Sequence, residues 1–246
     1  VLLMCALFFK YFESGRYLPA SIFLALGIAI KLVPLIILLY IVFRKKLHVA
    51  LYSITLAFLF CMLPYILLGG QIFDIYREYL NIFILDPLST SGIAVHKRLL
   101  FTVNDFVAFL SPALGNNTFI KLGSILVALT PVTFLEIFKL RGLKKRYNNI
   151  WVFCMYLLVI LFVSPMSETH HLAYIIPAVV IIILKIMFDY NSFTRKNWIM
   201  FLAFIVSFYL GKLFKYSPGY FFSIIILVVM IFRLTIAKHS NEVKTG

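Results

Sequence analysis

Residues Ser164–His171, "SPMSETHH", gather a glutamate, two adjacent histidines and three hydroxyl side chains between stretches that are otherwise almost wholly apolar. Pro165 ends the run before it, and Ser167 or Thr169 is placed to cap the helix that follows. His170 and His171 then fall in the first turn of that helix, where free backbone N–H groups and the helix dipole favour an anion. Histidine adds a donor that changes protonation near neutral pH. Glu168 supplies a base, or an orienting partner for an imidazole. The set suits a phosphate at a membrane surface. The plainer reading is that polar residues collect where a helix leaves the bilayer, which explains one histidine better than the whole set.

Lys31, inside "ALGIAIKLVPLIILLY", is the second candidate. It reads either as a snorkelling lysine or partner of a buried carboxylate, or as a positive charge held for a lipid phosphate. His96, Lys97 and Arg98 would extend an anion site, or form a solvated charge cluster. Asp74, Asp86 and Asp105 have no distinguishing context, and no D-x-D pair, Walker A loop, G-x-G-x-x-G or zinc-ligand spacing occurs. No metal and no cofactor is expected.

The elements that must position these residues are membrane helices. Of 246 residues 63% are hydrophobic, well above the roughly 45–50% of a globular domain. The excess falls in runs of about 17–25 residues, the length that crosses a hydrocarbon core of about 30 Å. A formal net charge of +14 is in the range of nucleic-acid binders, but the basic residues cluster between apolar runs: Arg44–Lys46, Lys139–Arg146 and Arg195–Lys196. Such clusters mark cytoplasmic loops. Attraction to anionic lipid is a second use of the same charges. Nucleic acid is excluded as the main partner. Cys5, Cys61 and Cys154 lie inside apolar runs without C-x-x-C spacing and read as packing residues.

Spans are expected at 1–12, 17–43, 48–68, 118–138, 149–165, 171–188, 197–214 and 218–235. The block 17–43 is either one long span kinked at Pro34, or a hairpin of two short helices with Lys31–Pro34 at its outer tip. The hairpin spares Lys31 a place at the bilayer centre, which costs about 2.5–3.5 kcal/mol. The fold expected is all-α: a polytopic bundle, one integral membrane domain over 1–246, with about eight or nine membrane segments. Because Val1 already lies in an apolar run, further spans are expected upstream. With the basic loops inside, residues 69–117 and the histidine cluster face outward. Within 69–117, Ile72, Tyr76, Tyr79, Leu80 and Phe83 share one helical face, opposite Asp74, Glu78 and Asn81. Leu99, Val103, Phe106, Val107 and Leu110 form a second stripe. Both suit helices lying in the interface or packed on neighbouring spans, joined by a turn at Asp86–Gly92.

Two stretches resemble glycosyltransferase family 87. "ALGIAIKLVPLIILLYIVFRKK" (25–46) is similar to that family's G-x-A-x-x-x-K-x-x-P-L helix pair with its basic sequel, and "LFVSPMSETHHLAYIIPA" (161–178) to its SP-x-S-W-x-HH segment. The resemblance implies the GT-C architecture and a hexosyltransferase, mannose-transferring in known members. The sugar would come from a polyprenyl-phosphate donor and pass to a lipid or glycan acceptor. The enzyme would be a multi-pass protein of a bacterial-type plasma membrane, active at the extracytoplasmic face. Such transfer needs a base and positive groups for the leaving phosphate; read from the residues themselves, Lys31, His171 and Arg98 suit the donor phosphate, and His170, His171 and Glu168 the reacting groups. The chain departs from the family pattern in having no tryptophan in Ser167–His171, and the family's presumed catalytic aspartate falls upstream of Val1. Other classes that use such groups are a polysaccharide polymerase or flippase for lipid-linked sugars, and a secondary transporter. The last would place broken helices in paired repeats, which the chain does not show.

Overall fold

The computed structural model describes residues 1–81, 103, 118–140, 149–163, 169–188, 193–213 and 219–242, and every regular element among them is helical. Contacts divide the chain into two compact units, Val1–Ser91 and Gly92–Gly246.

The first unit opens with α1 (Leu2–Glu13), α2 (Tyr17–Ile30), a 3-10 turn (Val33–Ile36), α3 (Ile37–Phe43) and α4 (Leu47–Met62). The two chain reversals at one end are built alike. After α1, Gly15 takes φ +74, while the N–H groups of Gly15 and Arg16 bond back to the carbonyls of Phe12 (3.1 Å) and Tyr11 (2.9 Å). After α3, Lys45 takes φ +57, and Lys45 and Lys46 bond back to Val42 (2.8 Å) and Ile41 (3.2 Å). This paired cap closes the last carbonyls of a helix and needs one left-handed residue. Glycine adopts that conformation freely; a lysine there costs roughly 1–2 kcal/mol.

The two reversals lie side by side. The Tyr40 hydroxyl donates to Glu13 Oε1 at 2.7 Å, the Lys46 ammonium stands 4.9 Å over the Tyr17 ring, and Tyr17 meets His48 at 5.3 Å. α1 and α3 therefore end where α2 and α4 begin. The chain leaves this basic end along α2 and returns through residues 33–43. The helix is broken at Lys31, so the reading of 17–43 as one continuous span gives way to the hairpin. Proline is the reason. Pro34 has no N–H to continue the ladder of α2, and a proline is tolerated only in the opening turn of a new helical segment. Its buried ring packs on Gly27, whose missing Cβ would stand 3.6 Å from Pro34 Cγ.

α4 runs beside α2, tied by the Ser21 hydroxyl to the Val49 carbonyl at 3.3 Å. It continues, past an interruption at Leu63–Pro64, into α5 (Tyr65–Leu68) and then α6 (Gln71–Leu80). Tyr76 donates its hydroxyl to the Cys61 carbonyl beside that interruption. In α6, Ile72 is buried and Tyr76 half-buried, whereas Tyr79, Leu80, Asp74, Glu78 and Asn81 are exposed. Phe83, the turn at Asp86–Gly92 and the second stripe, Val103 apart, lie outside the described residues.

The second unit contains α7 (Thr118–Leu140), α8 (Asn149–Val163), a second 3-10 turn (Thr169–Ile175), α9 (Ile176–Phe188), α10 (Arg195–Leu213) and α11 (Gly219–Glu242). α8 is its axis. Every residue from Trp151 to Phe162 is buried, as a helix apolar on all sides must be when other helices surround it. α7, α9, α11 and the 3-10 turn all contact it. α10 and α11 cross where two glycines meet: a Cβ on Gly219 would lie 2.6 Å from the Gly211 nitrogen and 2.7 Å from the Ser207 carbonyl oxygen. The Ser207 hydroxyl donates to the Gly219 carbonyl at 2.8 Å. Small residues let two backbones approach closely, the usual device where lipid provides no hydrophobic drive between helices.

Leu47–Leu68 and Arg195–Leu213 are long and apolar enough to cross a membrane, at 22 and 19 residues. Among the described residues six shorter apolar helices accompany them, including Tyr17–Ile30, Val33–Phe43, Asn149–Val163 and Leu172–Phe188.

Candidate active site

Lys31 stands at the far end of the first unit. It is the residue after α2, with extended backbone (φ −157, ψ 126) and its own N–H still bonded to the Gly27 carbonyl at 3.1 Å. A cation there faces the negative end of the helix dipole. Lys31 is half-buried. α2 is 14 residues long, about 21 Å at 1.5 Å per residue, against about 33 Å for the 22-residue stretch Leu47–Leu68 that runs from α4 through α5. The break therefore falls about 10 Å short of the far end of that neighbouring helix. The hairpin holds its lysine below the rim, not on top of it.

His170 and His171 lie in the 3-10 turn Thr169–Ile175, and the α-helix begins only at Ile176. This departs from the expected first turn of an α-helix. Pro177 explains the shift: without an N–H it is tolerated only in the opening turn of an α-helix, and this helix opens one residue before it. The turn is pinned by Tyr174 and Ile175, both buried, and packs on α8. Glu168, the capping candidate Ser167, and His96, Lys97 and Arg98 lie outside the described residues. Lys31 belongs to the first unit, and His170 and His171 to the second.

Two carboxylates are engaged by buried tyrosines. Glu13 takes the hydroxyl of Tyr40, a fully buried side chain, and the Arg44 guanidinium lies 4.4 Å from the centre of the same ring. In the second unit Glu136 is 1% exposed, and the equally buried Tyr156 directs its hydroxyl at Glu136 Oε1 from 3.5 Å. A lone acid in the apolar run of α7 was the available signal, since ionisable residues inside membrane helices are costly and generally paired. The partner tyrosines carried no signal, because each reads as one more aromatic in an apolar run. Among the described residues no three His, Cys, Asp or Glu side chains form a metal-binding group.

The two candidate stations thus consist of a lysine at a proline-enforced helix break and a histidine pair in a proline-delimited 3-10 turn. Chemically they offer one fixed cation and two groups able to exchange protons. A family model for glycosyltransferase family 87 matches residues 1–165. The match takes in the whole Lys31 hairpin and ends at Pro165, just before Glu168 and the histidines. No curated protein and no solved structure matches the chain. With two thirds of its length covered by that family model, the chain belongs to glycosyltransferase family 87, a family of membrane glycosyltransferases.

Proposed function

We propose that the protein transfers a hexose, in the first instance mannose, from a polyprenyl-phosphate sugar to a hydroxyl of a lipid or glycan acceptor at the extracytoplasmic face of the cell membrane. The acceptor oxygen attacks the anomeric carbon and forms the new C–O bond. The bond from that carbon to the donor phosphate breaks with inversion, and the electron pair leaves on the lipid-linked phosphate. The acceptor proton passes to a protein base. Transfer of this kind needs fixed positive charge where negative charge develops on the leaving oxygen, and a group for the proton. Lys31 supplies the charge, with His171 and Arg98 as further contacts to the phosphate. His170 and Glu168 are the proton-handling candidates within this chain.

The observation that supports this reading most directly is the position of Lys31. A charged residue terminates α2 at the end opposite Arg44–Lys46, inside the segment matched to the family. A lysine serving only to orient the chain would sit with the other basic residues. The test supplies radiolabelled polyprenyl-phosphate-mannose and a membrane lipid extract to the protein in nanodiscs. Label should move to a new species, and the movement should stop in the His170→Ala/His171→Ala double variant. No transfer from any polyprenyl-phosphate sugar by well-folded protein would reject the reading in favour of a polymerase or flippase.

A further inference from the structure

The charges at the opposite end of the first unit are not used by that reaction, and they are strongly unbalanced. Lys10, Arg16, Arg44, Lys45 and Lys46 gather there, and Glu13 is the one acidic residue before Asp74. Glu13 is already engaged from within the fold: it accepts the hydroxyl of buried Tyr40, whose ring lies against Arg44. That interior arrangement leaves Lys10, Arg16 and Lys45 exposed on the surface. Lys46 is set differently, its ammonium 4.9 Å over the ring of Tyr17, which also meets His48. The aromatic pair fixes a cation beside Arg16, and the reversal at Lys45 adds a third.

This cationic surface adjoins a lipid-facing one. Leu47, Leu51, Ile54 and Phe58 recur at helical spacing along α4, all exposed, and begin at the residue after Lys46. Tyr52 lies one turn from His48, half exposed, at the level where aromatic residues meet headgroups. A ligand held here would put its negative group against Arg16, Lys45 and Lys46 and its apolar part along α4. We propose that this end of the first unit binds the phosphate headgroup of an anionic phospholipid, with the acyl chains lying along the Leu47–Phe58 stripe. A soluble anion would use only the cations and leave the stripe without a role.

The test is native mass spectrometry of the detergent-solubilised protein, titrated with phosphatidylglycerol or with phosphatidylcholine of the same acyl chains. The wild type should retain the anionic lipid preferentially, and the preference should fall as ionic strength rises. An Arg16→Gln/Lys45→Gln/Lys46→Gln variant should lose it, by about fivefold for each cation removed. An Arg195→Gln/Lys196→Gln variant, altered in the second unit, should keep it. Lys45→Gly guards against misfolding: it removes one cation while placing glycine in a left-handed position, so its melting temperature should hold or rise as lipid retention falls. Equal retention of both lipids by the wild type, or an unchanged preference in the triple variant, would overturn the proposal. Equal loss in the second-unit variant would reduce it to a general effect of net charge and overturn it as well. Displacement of the lipid by inorganic phosphate at matched concentration would make the ligand a soluble anion, again against it.

Discussion

The 3-10 turns of the two units invite comparison. Each is tied to a proline and carries polar residues into an apolar setting: Lys31 just before Val33–Ile36, and His170 and His171 within Thr169–Ile175. They differ in which helix end they adjoin. Lys31 follows the C-terminus of α2, where carbonyls and dipole stabilise a permanent cation. The histidine turn precedes the N-terminus of α9, where the same field favours an anion. On the proposed reaction the first station supplies constant charge and the second handles the proton. That proposal divides binding from chemistry between two different helix ends.

Kinetics with the polyprenyl-phosphate donor can break that division. The largest effect is expected from the histidines: His170→Ala should lower kcat by about 10²-fold with little change in the donor KM, and His171→Ala should lower kcat by a similar factor while also raising the donor KM. Loss confined to KM would make the pair a binding site like Lys31 and erase the contrast. Lys31→Ala should act the other way, raising the donor KM by roughly 10-fold or more, the value of a charge-assisted contact. Lys31→Arg should recover most of it, since charge is what the station provides.

Two stability measurements sharpen the comparison of the units as scaffolds. Gly219→Ala forces a methyl group into the backbone of α10 and should destabilise the second unit by roughly 1–3 kcal/mol. A chemical unfolding curve of the purified protein reads this directly, and unchanged stability would mean that the α10–α11 crossing has room to open. The smallest effect is in the first unit, where Lys45→Gly should raise stability by about 1 kcal/mol by relieving its left-handed backbone. Should it fall instead, the Lys45 side chain contributes more to the fold than its conformation costs.

Much of this framework was legible in the residues. The apolar runs located α7, α8 and α10 to within a few positions, because a span needs unbroken apolar length. Pro34 and Lys31 together marked the broken helix, since one removes a backbone donor and the other penalises burial. The histidine turn was legible as a polar cluster between apolar runs and misread as a conformation: the α-helix starts beyond the pair, at Ile176. Tyr40 and Tyr156 were invisible as partners of Glu13 and Glu136. Their recognition depends on contacts 27 and 20 residues away in sequence, which no local pattern encodes.

By itself the sequence determined that the chain is helical, that its helices belong in an apolar medium, where the basic turns lie, and which family it joins. The tertiary structure alone decided which apolar surfaces meet protein and which meet lipid. α4 and α8 show why. Both are mainly apolar helices, yet α8 is enclosed along almost its whole length, while α4 leaves Leu47, Leu51, Ile54 and Phe58 exposed. Composition records how strongly a side chain avoids water. A lipid tail and a protein core satisfy that avoidance equally well, so only the arrangement of neighbouring helices, down to a glycine against a glycine, could choose between them.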